Sequence, residues 1–194
     1  MAIWDRLVAL AADQNGYVTT RDARGIGVDP VQLRLLLARG RLERAGRGVY
    51  RVSLLPRGEH DELAAAVAWT LGRGAISHES ALALHALADV NPSRIHLTVP
   101  RENHPRAAGG ELYRLHRREL PPADITSVDA IPVTTVTRTI ADCLKMGTDP
   151  YQLRAAIERA EAEGTLRRGP ATELRQAIDH RVTRSAARAK GESL

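Results

Sequence analysis

A chain of 194 residues, 43% apolar and with a formal charge of +5, is long enough for one large core or two small ones. Its single cysteine, Cys143, rules out an intramolecular disulfide and argues against a cysteine-ligated zinc site. No uncharged apolar run approaches the ~18 residues of a membrane span, and the first residues lack the basic, apolar and cleavage regions of a secretory signal, so a cytoplasmic protein is expected.

The first helix is predicted from about Ala2 to Asp13, with Ile3, Leu7 and Leu10 as its apolar stripe and Trp4, Val8 and Ala11 widening it. Gly16 closes it, Tyr17-Val18 can form a short strand, and Thr19 with Asp22 reads as a capping box opening a second short helix. Asp29 is a good N-cap and Pro30 suits the first position of a third helix, in which Leu33, Leu36 and Leu37 share a face. Gly40 sits where a left-handed residue ends a helix. Leu42 to Ala45 can then pair with Val49 to Val52 across Gly46-Arg47-Gly48. That hairpin carries Arg41, Arg44, Arg47 and Arg51 against one acid, Glu43. Helices, a strand and a basic hairpin in this order, within ~50 residues, are how a winged helix-turn-helix reads.

Ser53 to Gly58 is a plausible hinge, which divides the chain into a winged helix at 1–55 and a second domain at 56–194. In the second part, helices are predicted at Glu59–Leu71, Ser77–Leu87 (capped by Ser77), Thr137–Met146 (capped by Thr137), Pro150–Glu163 and Pro170–Arg188. Strands are predicted at Arg94–Val99, Glu111–Arg117 and Ile131–Thr135, with the polar run 102–110 between the first two. The fold class is therefore α+β: a winged helix followed by a small sheet packed with helices.

Positive charge lies at the two ends. Residues 1–55 hold nine arginines against five acids (+4), residues 56–150 hold ten basic against twelve acidic side chains (−2), and residues 151–194 hold nine against six (+3). Two basic surfaces suit a polyanion, although solvated helix faces would give the same totals. Arginine supplies all but two of the 28 basic residues and Phe is absent, a bias that follows GC-rich codons and points to a high-GC bacterium.

The third helix's outward face centres on Val31, Leu35 and Ala38, with Gln32, Arg34 and Arg39 at its flanks. That is a poor set for bidentate base reading, whereas arginines at the edge and in the hairpin suit phosphate contacts. The expected DNA contacts are Arg34, Arg39, Arg41, Arg44 and Arg47, with Arg21, Arg24 and Gln32 secondary. A winged helix used for protein contact is the competing reading. Arg181, Arg184 and Arg188 form a further basic stripe on the last helix, with Lys190 beyond, against which stands a frayed terminus.

Seven histidines (His60, His78, His85, His96, His104, His116 and His180) show no recognised ligand spacing, so structural roles are expected, with no metal and no cofactor. His78 and Glu79 with Asp61 could imitate a hydrolase site, but acids at helix starts usually serve the helix dipole, and no catalytic residue is assigned. In VTTVTRTIADCL (Val133 to Leu144), Ile140, Cys143 and Leu144 read as a buried stripe and Arg138–Asp142 as an i, i+4 pair.

Three segments in order, GYVTTRDARGIGV…LARGRLERAGRGVYRV, ISHESALALHAL and IPVTTVTRTIADCL, resemble the AbiEi antitoxin family of type IV toxin–antitoxin systems, from about residue 5 to 165. The resemblance implies a non-enzymatic, two-domain protein. Its winged helix would bind inverted repeats in operator DNA and repress its own operon. Its second domain would serve antitoxicity and assist DNA binding. The partner would be a nucleotidyltransferase-type toxin, met directly or countered indirectly. A transcriptional regulator unlinked to any toxin, with a ligand- or partner-sensing second domain, is the alternative.

Overall fold

The computed structural model describes residues 2–102 and 110–191, apart from the side chains at 186 and 188–191. Two compact units make up the chain: Met1–Ile76 with Ser93–Val133, and Ser77–Pro92 with Thr134–Leu194.

The first unit begins with helix α1 (Ile3–Ala12), strand β1 (Tyr17–Thr19), helices α2 (Thr20–Gly25) and α3 (Pro30–Ala38), and strands β2 (Leu42–Gly46) and β3 (Val49–Val52). The three strands form an antiparallel sheet in the order β1-β3-β2, with Tyr17 opposite Arg51 and Leu42 opposite Val52. This is a winged helix-turn-helix. Its core is Leu7, Ala11, Val18, Ala23, Val28, Leu33, Leu42, Tyr50 and Val52, flanked by half-buried Trp4, Val8, Leu10, Leu36 and Leu37. Ile3, expected in the α1 stripe, is 39% exposed; the buried line runs through Leu7 and Ala11, which places Ile3 at the rim.

Local chemistry sets the boundaries. The Thr19 hydroxyl accepts from the Asp22 amide at 3.2 Å while the Asp22 carboxylate accepts from the Thr19 amide at 2.8 Å, a capping box with Asp in the Glu position. Gly40 has φ +66 and releases the chain from α3 into the wing. At the wing's tip Gly48 has φ +74, and the ladder slips by one residue between Arg44 and Gly46, so Ala45 is the extra residue of a bulge.

The rest of this unit is helix α4 (Asp61–Trp69), strand β4 (Ala75–Ile76), and, within it or at its edge, strands β5 (Ile95–Val99), β6 (Tyr113–Arg117), β7 (Ile125–Val128) and β8 (Ile131–Thr134). These strands make a five-stranded mixed sheet in the order β6-β5-β4-β8-β7. Parallel pairing of β5 with β6 sets Ile95 beside Tyr113 and Leu97 beside Leu115, giving one apolar layer. The Trp69 ring of α4 packs on Tyr113 with centroids 4.9 Å apart.

The second unit is helical: α5 (His78–Leu84), α6 (Val136–Met146), α7 (Pro150–Ala162) and α8 (Arg168–Gly191). Leu82, Ile140, Cys143, Leu153, Ile157, Leu174 and Ile178 interlock in its core. The cap of α6 falls at Thr135 rather than Thr137. β8 ends at Thr134, and the Thr135 hydroxyl accepts from the Arg138 amide at 3.4 Å, so the helix starts two residues sooner. The Arg138–Asp142 pair forms at 2.6 Å over a nearly buried carboxylate.

Candidate nucleic-acid interface

α3 is fastened at its start by its own side chains. The Asp29 carboxylate accepts from the amides of Val31 and Gln32, each at 2.7 Å. The Gln32 side-chain carbonyl accepts in return from the Asp29 amide at 2.9 Å. With Pro30 at the first helical position, this satisfies the amides that a helix N-terminus otherwise leaves open. Reading adenine would need both ends of the Gln32 amide, and its carbonyl end is engaged in the cap.

Beyond the cap, Leu33 is buried and Val31, Arg34, Leu35, Ala38 and Arg39 are exposed. The Arg34 Nε donates to the Pro30 carbonyl at 3.3 Å, which leaves its two terminal amino groups to project from the helix. Arg21 and Arg24 of α2 are exposed. On the wing, the Arg41 guanidinium lies 5.1 Å from the centroid of the Trp4 ring and that of Arg44 lies 5.9 Å from Tyr50. Both guanidiniums are steadied over aromatic faces with donors left over. Arg47 is exposed at the hairpin tip.

Arg51, the fourth arginine of the hairpin, points inward. It is 4% exposed and donates to the carbonyls of Val52 at 3.4 Å and Leu55 at 2.6 Å, with the Asp61 carboxylate 3.6 Å from its Nε. Tyr17 donates its hydroxyl to Asp61 at 3.1 Å and Arg57 donates to it at 2.7 Å. Burial, then the neighbouring Asp61, raises the Tyr17 hydroxyl to about 12. This network on α4 was not anticipated from sequence; the visible signal was Tyr17 and Arg51 at pairing positions of adjacent strands.

Three of the five acids at 1–55 are engaged close to home. Asp22 holds Thr19, Asp29 holds the α3 N-terminus, and Glu43 takes Arg57 at 3.2 Å. The exposed arginines of α2, α3 and the wing therefore have no local counter-ion from these groups, and the surface they share in sequence is strongly cationic.

In the second unit, Arg181 is half-buried and donates to the Leu144 carbonyl near the C-terminus of α6, so its guanidinium serves as a helix cap. Arg184 is exposed, and the Arg188 side chain lies outside the described residues. His85 donates its Nε2–H to the Thr134 carbonyl at 2.8 Å, and His78 Nδ1 lies 3.0 Å from the Ser77 hydroxyl. Ser77 thus stands at the N-cap position of α5 with its hydroxyl turned to that ring rather than to a backbone amide. Glu79 accepts from Thr148 at 3.0 Å. His104 is outside the described residues.

Taken together, an α1-β1-α2-α3-β2-β3 order, a capped third helix and an arginine-bearing wing define a winged-helix module. Residues 5–53 match the model of a family described as "Transcriptional regulator, AbiEi antitoxin", so this N-terminal region is similar to that family. No curated protein matches the chain. Among solved structures, the crystal structure of RV2827C protein from Mycobacterium tuberculosis is similar over 91% of this chain and 82% of that one. That similarity has 16% identity and a TM-score of 0.39, too slight to say anything of function. Among the described residues, no helix is long and apolar enough to cross a membrane.

Proposed function

We propose that this protein is a non-enzymatic antitoxin that binds double-stranded operator DNA, represses its own operon and counteracts a nucleotidyltransferase-type toxin in the cytoplasm. The observation that carries the proposal is the set of exposed arginines on α2, α3 and the wing, in a segment that matches an antitoxin regulator family. Residues 1–55 act as the DNA-binding module, with Arg34, Arg39, Arg41, Arg44 and Arg47 as main contacts and Arg21, Arg24 and Gln32 as secondary ones. Residues 56–194 supply antitoxicity, and the exposed Arg184 is the part of the C-terminal basic stripe best placed to add a phosphate contact. Inverted repeats are the expected operator. Binding to duplex DNA from upstream of the gene should fall steeply with salt, because each neutralised phosphate releases counterions. Affinity that does not change between low and physiological salt overturns the electrostatic basis of the proposal.

A winged-helix regulator unlinked to a toxin is a second reading, favoured by one feature. A cavity of about 410 Å³ lies in the first unit between β1–α2 and α4, lined by Val18, Arg21, Val67, Ala68, Leu71 and Ile131 among others. A small molecule there would sit beside the start of α2. A nucleotidyltransferase gene adjacent to this one, together with rescue of its toxicity by co-expression, decides for the antitoxin; a metabolite that stabilises the protein and releases DNA decides for the sensor.

A further inference from the structure

The outward side of α3 poses a specific question of chemistry. Val31 is 53% exposed and Leu35 is 49% exposed, four residues apart on one stripe that continues to exposed Ala38. Single exposed aliphatic residues are ordinary on a protein surface. Here two stand together on the helix that the basic wing flanks, and they occupy the positions where polar base-reading side chains usually stand. A second copy of this face is a poor occupant, since like-charged arginines on both sides would oppose each other. The charge favours a polyanion instead, and among the groups exposed in the DNA major groove only the thymine C5-methyl is apolar.

Building on the DNA-binding reading above, we infer that α3 recognises thymine methyl groups through Val31 and Leu35. Arg34 acts as the side chain positioned to pair with guanine. Its Nε is tied to the Pro30 carbonyl, which leaves the terminal amino groups as a free pair of donors, the arrangement that matches guanine O6 and N7. Gln32 contributes little to base choice, because its carbonyl closes the helix cap. The resulting preference is for thymines spaced as Val31 and Leu35 are spaced along the groove, beside one guanine.

The experiment uses the full chain. Duplexes are selected from a random library at low salt, and each thymine of the enriched duplex is then replaced singly by deoxyuridine, which removes the methyl and nothing else. Replacement at one or two positions should weaken binding about four-fold each, the effect of one buried methyl. Leu35→Ala should weaken binding to the thymine duplex by about the same four-fold and erase the uridine sensitivity at one position, and Val31→Ala should do so at another. Circular dichroism confirms that both variants fold. Selected duplexes that are indifferent to uridine at every position overturn the inference while the DNA-binding reading stands. Sensitivity that persists unchanged in both variants also overturns it. A library from which nothing is retained at low salt overturns the DNA-binding reading itself.

Discussion

Arg51 and Asp61 face each other at 3.6 Å, with side chains only 5% and 14% exposed, joining the strand that returns from the wing to the first turn of α4. Asp61 also takes the Tyr17 hydroxyl and Arg57. Charged groups so placed are weak sources of net stability but costly to separate, since the survivor is left buried without its partner. Asp61→Ala should therefore lower the unfolding free energy by about 3 kcal/mol. Urea denaturation measures it, and a loss under about 0.5 kcal/mol, the range of an ordinary surface substitution, would show the pair to be idle.

The wing arginines are predicted to act on affinity rather than on sequence preference. Arg44→Ala with Arg47→Ala should weaken binding to all duplexes alike and reduce the slope of log affinity against log salt by about 2, near 0.9 for each lost phosphate contact. Both side chains are exposed, so the thermal midpoint should stay nearly constant. Fluorescence anisotropy over a salt series reads the first effect and calorimetry the second; an unaltered slope removes the wing from the interface.

His116 gives the fold a one-sided pH dependence. Burial, then the neighbouring His96, Arg114 and Arg118, lowers its pKa from 6.5 to about 4. Between these values the unfolded chain takes up a proton that the folded chain refuses. The contribution of this group is complete above pH 6.5 and is lost as pH falls toward 4; because the half-buried ring is partly screened by solvent, the loss is on the order of 2 kcal/mol, less than the full linkage value. Urea midpoints at pH 7.0, 5.5 and 4.5 for the native chain minus those for His116→Gln isolate the effect; a difference independent of pH refutes it.

Cys143 is fully buried between α6 and its packing partners, and burial pushes its thiol up to about 12. Since the thiolate is the reactive form, labelling by a disulfide reagent at pH 8 should be slower in the native protein than in urea by on the order of a hundred-fold. Comparable rates in the two states would place the thiol at the surface.

The winged helix was legible because its signals are local. Asp29-Pro30 at a helix start, Gly40 at its end and Gly48 in the hairpin each act within a few residues, and the φ values of +66 and +74 are those that such glycines supply. In the sequence Arg51 stands among the hairpin's other arginines, with nothing nearby to mark it as internal. Its burial depends on Asp61, ten residues on, and on the carbonyl of Leu55. The sheet of the first unit was harder to see for a related reason. β4 is two residues long and β7 four, too short for alternation to show; β4 exists through neighbours distant in sequence, since Ile76 pairs with Leu97 and Val133, while β7 is an edge strand beside β8. The sequence places the α6 cap at Thr137, whereas the end of β8 sets the start at Thr135. In the site, exposure of the wing arginines followed from the pattern, whereas the engagement of Gln32 and Arg181 required the third dimension.

The closed loop of hydrogen bonds between Asp29 and Gln32 bears on how this surface can change over generations. Positions 31, 34 and 35 can exchange side chains without disturbing the helix that carries them, so on the proposed DNA-binding reading a new target sequence is reachable there by single steps. Position 32 is held by folding, because a residue without the Gln32 carbonyl would leave the Asp29 amide unpaired and loosen the first turn. Retargeting should therefore proceed around Gln32 and leave it in place.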